Sequence, residues 1–224
     1  MERHENVYIL GTSHVSKESV QEVERFIKKI KPSMVAVELD PARYASLMSK
    51  KKQKTSARDA IKRQGIKGYL FNKVGAWIEG RLGRMVATPP GSEMRRAIET
   101  AQSRKIPVVC IDQDISTTLR KLSERLTWGE KMRLFKGILL GLLISKRKLK
   151  EELKNAPSKI LVEEVIEKVK RDFPSLYVTL ITERDEIMAQ KIRVLAEKKD
   201  GPIMAVVGAG HEKGIIKKLR AEKR

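Results

Sequence analysis

Two of the three histidines in this sequence follow apolar, strand-like runs through the same short turn. Residues 7–10 form one such run, which leads into a glycine and, three residues after that glycine, His14. Residues 203–207 form a second run, and the same G-x-x-H spacing then places His211. The third histidine, His4, lies in the polar N-terminal stretch and has no such context. Because ligand sites in open α/β sheets lie at the carboxyl ends of parallel strands, we expect the imidazoles of His14 and His211 to meet at one sheet edge.

A carboxylate follows another apolar run in the same way. Glu38 comes directly after residues 34–37. Two imidazoles and one carboxylate are a common ligand set for a catalytic divalent metal that keeps positions open for water and substrate. We therefore predict that His14, Glu38 and His211 bind a divalent metal, which would lower the pKa of bound water and polarise a carbonyl for hydrolysis.

Five further residues are candidates for supporting roles. Glu93, Asp112 and Asp185 are candidate general bases or partners of the metal ligands, and Arg43 and Arg184 are candidates to hold a carboxylate or stabilise an oxyanion. Glu93 also stands in the first turn of a predicted helix, where the helix dipole favours a carboxylate without any chemistry. Asp185 lies on an inward-facing helical stripe, so an internal ion pair without chemistry is the alternative to a catalytic role. Spacing alone leaves these roles open.

Strand and helix patterns alternate along most of the chain. Apolar runs predict buried strands at residues 7–10, 34–37, 107–111 and 203–207, and helical periodicity predicts helices at 16–30, 41–48, 93–103 and from 211 onward. This order predicts an α/β fold with a mainly parallel central sheet flanked by helices.

The chain has the length of one α/β domain that carries insertions, and we assign residues 1–224 to it. Residues 49–90 are rich in lysine and glycine and are predicted to form a basic insertion or lid. An amphipathic helix around Trp77 within this insertion is predicted to lie on a membrane, to dock against a partner, or to pack on its own domain. Residues 115–199 carry only helical signals and are predicted to form a helical insertion between the third and fourth strands.

The net charge of +20 predicts attraction to anionic partners, among which an acidic membrane surface is the better candidate. Nucleic acid is not expected, because only 4% of the residues are aromatic and no nucleic-acid-binding motif is present. The high content of lysine and glutamate within 34% charged residues is typical of ion-pair networks in thermophile proteins.

The single cysteine, Cys110, excludes an intrachain disulfide and is typical of a reducing compartment. The N-terminus lacks the charge and hydropathy order of a signal peptide. The longest apolar stretch, residues 138–145, is too short to span a bilayer. We therefore expect a cytoplasmic or membrane-associated domain. The wider segment 134–145 favours a buried or oligomer-facing helix, so a homodimer remains open.

Six short motifs, taken in order, resemble those of the TraB/PrgY (pheromone shutdown) family, which is related to the Tiki proteases and GumN. These motifs are Gly11 to Ser16, Val37 to Asp40 with Arg43, Gly91 to Met94, Asp112 to Leu119, Glu183 to Asp185, and Gly208 to His211 with Gly214 and Ile215. The resemblance covers almost the whole chain. Each G-x-x-H turn alone would be a weak signal, whereas the set is specific.

The resemblance implies a Tiki/TraB-type α/β fold, similar to the ChaN-like and erythromycin-esterase-like (EreA-like) folds. It also implies a metal-dependent peptidase with His14, His211 and Glu38 as metal ligands. Bacterial members are linked to lowering the activity of peptide pheromones, and Tiki members use manganese or cobalt. A peptide substrate and a manganese, cobalt or zinc ion are therefore expected here.

The sequence also departs from what the family implies. Many microbial members carry a C-terminal membrane-spanning region that this chain lacks, which indicates either a soluble form or a truncated chain. Many relatives have arginine after the third-strand aspartate, where this chain has Gln113. The alternative function is therefore a catalytically silent, membrane-associated binding or regulatory module with the same fold.

Overall fold

The computed structural model describes residues 1–12, 17–49, 91–143, 159–198 and 200–221. The strands within these ranges are β1 (Glu2–His4), β2 (Val7–Thr12), β3 (Met34–Val37), β4 (Val108–Cys110) and β5 (Ile203–Gly208). The helices are α1 (Lys17–Ile30), α2 (Pro41–Met48), α3 (Ser92–Ser103), α4 (Ile115–Arg125), α5 (Trp128–Leu143), α6 (Lys159–Asp172), α7 (Pro174–Tyr177), α8 (Glu183–Lys198) and α9 (Ala209–Ala221). A π-helical turn, Val178–Thr182, connects α7 to α8.

The five strands form one sheet in the order β1-β2-β5-β3-β4. The last four of these are parallel, and β1 pairs antiparallel with β2 at the edge. The last strand of the chain, β5, therefore lies between the first two parallel strands. Thr12 pairs with Gly208, and Val37 pairs with both Val206 and Cys110, so the carboxyl ends of the parallel strands share one edge.

Helices cover both faces of the sheet, which explains why β3 and β5 are apolar throughout. Every residue of β5 is buried. Ala205 and Val207 pack against α8 and α9, whereas Met204 and Val206 pack against α1 and α3 on the other face. Parallel strands that are covered on both faces have continuous apolar sequences, and this is the pattern from which β5 was predicted.

The predicted α/β class with a mainly parallel sheet is confirmed, as are helices at α1, α2 and α3. The sequence pattern did not predict β1, and His4 lies in this edge strand. Its short, charged segment carries no alternating apolar signal, because the strand is exposed at the sheet edge.

The predicted boundaries within the chain stay predictions. Residues 50–90 of the predicted insertion lie outside the described residues. Within 115–199 the described residues form helices joined by short connections, and α8 contributes Met188, Ala189 and Ile192 to the core. None of the helices in the described ranges combines the length and apolar character that a bilayer crossing requires.

Candidate functional site

The pairing of β3 with β5 positions Glu38. Glu38 follows β3 directly, and its backbone N–H donates to the carbonyl oxygen of Val206 at 3.1 Å. Glu38 is 6% exposed, and its Oε2 accepts a hydrogen bond from the backbone N–H of Gly208, at the end of β5. The Glu38 carboxylate is therefore held at the point where the chain leaves β5 and enters α9.

His211 lies in the first turn of α9 and faces two carboxylates. Its Nδ1 is 2.6 Å from Oδ1 of Asp185, and its Nε2 is 3.4 Å from Oε1 of Glu38. Nη1 of Arg184 lies 3.1 Å from the same Nε2. Because a guanidinium can only donate, Nε2 must accept, and the proton lies on Nδ1, where it is donated to Asp185. The lone pair of Nε2 therefore points into the site.

The guanidinium of Arg184 lies at the centre of the site. Its Nε donates to Oδ1 of Asp112 at 3.0 Å and its Nη2 to Oδ2 of Asp112 at 2.8 Å. Nη2 also donates to Oε1 of Glu38, and Nη1 donates to the carbonyl oxygen of Leu180 at 3.2 Å. Burial alone lowers the pKa of Arg184, but its hydrogen bonds to Asp112 and the charges of Glu38 and Asp112 raise that pKa above its usual value. Arg184 therefore stays charged.

Asp112, which comes two residues after β4, is enclosed by cations. It is 3% exposed, and its backbone N–H donates to the carbonyl oxygen of Leu39 at 3.2 Å. Nη1 of Arg43, on α2, lies 3.3 Å from its Oδ2, and Nζ of Lys191, on α8, donates to its backbone carbonyl oxygen at 2.6 Å. Three cationic side chains from two helices thus meet at this residue.

Asp185 owes its position to a glycine on the neighbouring helix. A Cβ added at Gly214 would lie 1.9 Å from Oδ2 of Asp185, so only glycine allows α9 to approach this carboxylate. Burial raises the pKa of Asp185, and its hydrogen bond to His211 opposes this only in part. The π-helical turn before α8 supplies the Leu180 carbonyl that Arg184 binds, and such turns are frequent at functional sites.

The structure brings together five of the eight residues that the sequence singled out. These five are Glu38, Asp112, Arg184, Asp185 and His211, and a sixth, Arg43, lies at the rim with its side chain 44% exposed. Glu93 is buried in the first turn of α3, and the five hydrogen-bond contacts of the Arg184 guanidinium are with other residues. His14 lies outside the described residues, so its role stays a prediction.

Two contacts of the site were not anticipated. Lys191 is seven residues after Arg184, so both lie on one face of α8 two turns apart, and this spacing was the available signal. Gly214 appeared only as part of a family motif, whereas in the structure it leaves room for Asp185. Asp114, two residues after Asp112, caps α4 by accepting from the backbone N–H groups of Ser116 and Thr117.

Two of the predicted metal ligands have a suitable geometry. Two atoms that each lie about 2.1 Å from a tetrahedral ion are about 3.4 Å apart. The distance from His211 Nε2 to Glu38 Oε1 is 3.4 Å. The hydrogen bond from His211 to Asp185 is the usual support of a metal-binding histidine. Among the described residues, no group of three or more His, Cys, Asp or Glu side chains is arranged to hold a metal ion.

A sequence model described as the TraB/PrgY/gumN family matches residues 2–223. The chain belongs to this family.

Curated relatives match nearly the whole chain. An uncharacterized protein of Methanocaldococcus jannaschii is 35% identical over 219 residues, which cover 96% of this chain and 53% of that protein. A human TraB domain-containing protein is 26% identical over 239 residues, which cover 94% of this chain and 62% of that protein. The mouse protein of the same name is 25% identical with the same coverage. The chain therefore spans about half to three fifths of the length of these relatives.

Gln113, where this TraB/PrgY/gumN chain departs from the expected arginine, has a local role. Its backbone N–H donates to Oδ1 of Asp112 at 2.8 Å. Its side-chain Nε2 donates to Oγ1 of Thr118, on α4, at 2.7 Å. Gln113 thus helps to hold the Asp112 carboxylate in the orientation in which it binds Arg184.

Proposed function

We propose that this chain is a metal-dependent hydrolase that acts on peptides, with His14, Glu38 and His211 as ligands of a manganese, cobalt or zinc ion. The observation that carries the proposal is the row Asp185–His211–Glu38, in which one carboxylate keeps the proton on Nδ1 and the Nε2 lone pair faces a second carboxylate at 3.4 Å. This is how proteins prepare a histidine for a divalent cation. Family membership supports the proposal, because the residues lie on the motifs that resemble the family.

The residues of the chain have distinct tasks in this proposal. The metal would polarise a peptide carbonyl and lower the pKa of a water molecule. Asp185 fixes the tautomer of His211. Asp112 positions Arg184 through two parallel hydrogen bonds. Arg43 is half-exposed at the rim, and we assign its remaining donors to a substrate carboxylate or to the oxyanion that develops from the carbonyl.

The test compares alanine variants of the three histidines, in which His4 serves as the matched control. Metal-free wild type, His14→Ala, His211→Ala and His4→Ala are each equilibrated with manganese, cobalt or zinc, and bound metal is counted after gel filtration. We expect about one ion per chain in wild type and His4→Ala and loss of that ion in the other two variants. Cleavage of a peptide library should follow the same order and stop when a chelator removes the metal.

Two results would contradict the proposal. Wild-type protein that binds none of the three metals and cleaves no peptide removes the hydrolase from consideration. Stoichiometric binding that survives both His14→Ala and His211→Ala places the metal elsewhere. In that case the strand-end histidines have another role.

A second candidate function, a membrane-associated binding or regulatory module, is favoured by the surface of α5. Trp128 is 77% exposed and Phe135 is 62% exposed, and Met132 lies between them on the same face of the helix. Lys131 and Lys136 flank this stripe, as is typical of a helix that rests on an acidic lipid surface.

Vesicle sedimentation tests this second candidate. Wild type should sediment with vesicles that contain phosphatidylserine and much less with vesicles of phosphatidylcholine alone. Trp128→Ala/Phe135→Ala should lose most of the binding. Val194→Ala, which removes an exposed apolar side chain from α8, should not. If Trp128→Ala/Phe135→Ala binds the phosphatidylserine vesicles as well as Val194→Ala does, the exposed surface of α5 is not the contact with the membrane.

A further inference from the structure

We propose that Arg184 competes with the metal for His211, so that loading the site requires its guanidinium to leave Nε2 while it stays paired with Asp112. This inference rests on the proposed function. In this inference the positively charged side chain of Arg184 lowers the metal affinity of the site.

The competition follows from the number of lone pairs on the imidazole. With its proton on Nδ1, His211 has a single in-plane lone pair, on Nε2. Nη1 of Arg184 lies 3.1 Å from this atom and donates to it. A metal ion needs the same lone pair, so the hydrogen bond and the metal bond exclude each other. Displacement of Nη1 is therefore a necessary step of loading.

Glu38 does not impose the same conflict. A carboxylate oxygen has two lone pairs, so Oε1 of Glu38 can bind a cation and still accept from Nη2 of Arg184. Its other oxygen is held by the backbone N–H of Gly208. The carboxylate therefore keeps its position whether or not Arg184 moves. The exclusion is confined to His211.

Arg184 remains anchored when it gives up His211. Its Nε and Nη2 form the bidentate pair with Asp112, at 3.0 and 2.8 Å. Asp112 is itself fixed by the backbone N–H of Gln113 and by Arg43. Because the guanidinium is rigid and planar, Nη1 can move away only if the whole group tilts about its bidentate contact with Asp112. This tilt changes the two hydrogen bonds of Nη1, to Nε2 of His211 and to the carbonyl oxygen of Leu180. The positive charge stays beside Glu38 and weakens the attraction of the site for a second cation.

Metal titration of the apo protein tests the inference without any measurement of activity. Manganese and zinc are titrated by calorimetry into wild type, Arg184→Met, Arg184→Lys and His211→Ala at pH 7. Removing a charge-assisted hydrogen bond from the lone pair should tighten binding by about 10- to 100-fold in Arg184→Met. Arg184→Lys, which keeps the charge but lacks the planar fork, should lie between wild type and Arg184→Met. His211→Ala should bind at least 10-fold more weakly than wild type.

A second measurement on metal-free protein follows the contact itself. The ¹⁵N resonance of His211 Nε2 should move in Arg184→Met toward the position of a free imidazole lone pair, and circular dichroism should report an unchanged fold. An unmoved resonance in the folded variant would overturn the inference.

The titration separates the inference from the function on which it rests. Equal or weaker affinity in a folded Arg184→Met, with metal bound by wild type, overturns the role of Arg184 and leaves the metal site standing. Absence of binding in wild type and in both Arg184 variants overturns the metal site, and the inference falls with it.

Discussion

Replacing Gly214 by alanine should change the stability of the protein in two opposing ways: alanine favours the helix, but its Cβ clashes with Asp185. Gly214 lies in the interior of α9, where alanine is favoured over glycine by about 1 kcal/mol. Its added Cβ would lie 1.9 Å from Oδ2 and 2.7 Å from Cγ of Asp185. Since ordinary Cβ contacts begin near 3.4 Å, the carboxylate must retreat by about 1.5 Å. The hydrogen bond between Asp185 and His211, at 2.6 Å, cannot survive that movement.

The steric effect should be the larger of the two. Loss of a hydrogen bond to a charged group costs about 1.5–3 kcal/mol, and overpacking at a buried contact costs about 1–3 kcal/mol. After the gain of about 1 kcal/mol in helix propensity is subtracted, the free energy of unfolding should fall by about 1.5–5 kcal/mol. For a chain of this size the melting temperature should fall by about 3–20 °C.

Two matched glycine variants isolate the cause. A Cβ at Gly137, on α5, meets nothing within 4 Å, so Gly137→Ala measures helix propensity alone and should leave stability unchanged or raise it by up to about 1 kcal/mol. A Cβ at Gly210 meets only the flexible end of Ile166, at 3.0 Å, so Gly210→Ala should lie between the other two. Urea unfolding followed by circular dichroism gives the three free energies. A Gly214→Ala protein as stable as Gly137→Ala would refute the close contact between Gly214 and the Asp185 carboxylate.

Two further predictions concern Glu130 and Asp185. Burial by itself raises the pKa of Glu130, but hydrogen bonds from Thr127 and Ser175 outweigh it and lower the pKa from 4.5 to about 2. A carboxylate with a lowered folded-state pKa stabilises the protein above about pH 4.5, and this stability is lost as the pH falls toward 2. The full shift corresponds to about 3 kcal/mol, and solvent screening at the helix end reduces it, so Glu130→Gln should cost about 1–2 kcal/mol at pH 7 and nothing near pH 2. This prediction would be contradicted if urea titrations showed that Glu130→Gln lowers the free energy of unfolding equally at pH 7 and near pH 2. Asp185→Asn should reduce metal affinity about 10- to 100-fold, because an asparagine amide also stabilises the tautomer with the proton on Nε2 of His211; unchanged affinity by calorimetry would refute this role.

Much of the fold was predictable because burial leaves a local signal. Strands covered on both faces are apolar without interruption, and this predicted β3 and β5. The helical period also predicted that Asp185 lies on the same inward stripe as Met188 and Ile192, and all three are buried. Residues directly after such strands, Glu38 among them, are likewise at the sheet edge where they were expected.

The sequence by itself determined the parallel strands, most of the helices and the residues at their ends, since these depend on periodicity and on neighbours within a few positions. The tertiary structure decided which ends meet. The place of β5 between β2 and β3 joins Glu38 to Gly208, 170 residues away, and no local pattern encodes the order of parallel strands. The partners of Arg184 were also decided by the tertiary structure, since one of its hydrogen bonds reaches Glu38, 146 residues earlier in the chain. A buried charged side chain needs partners, but the sequence does not show where those partners lie.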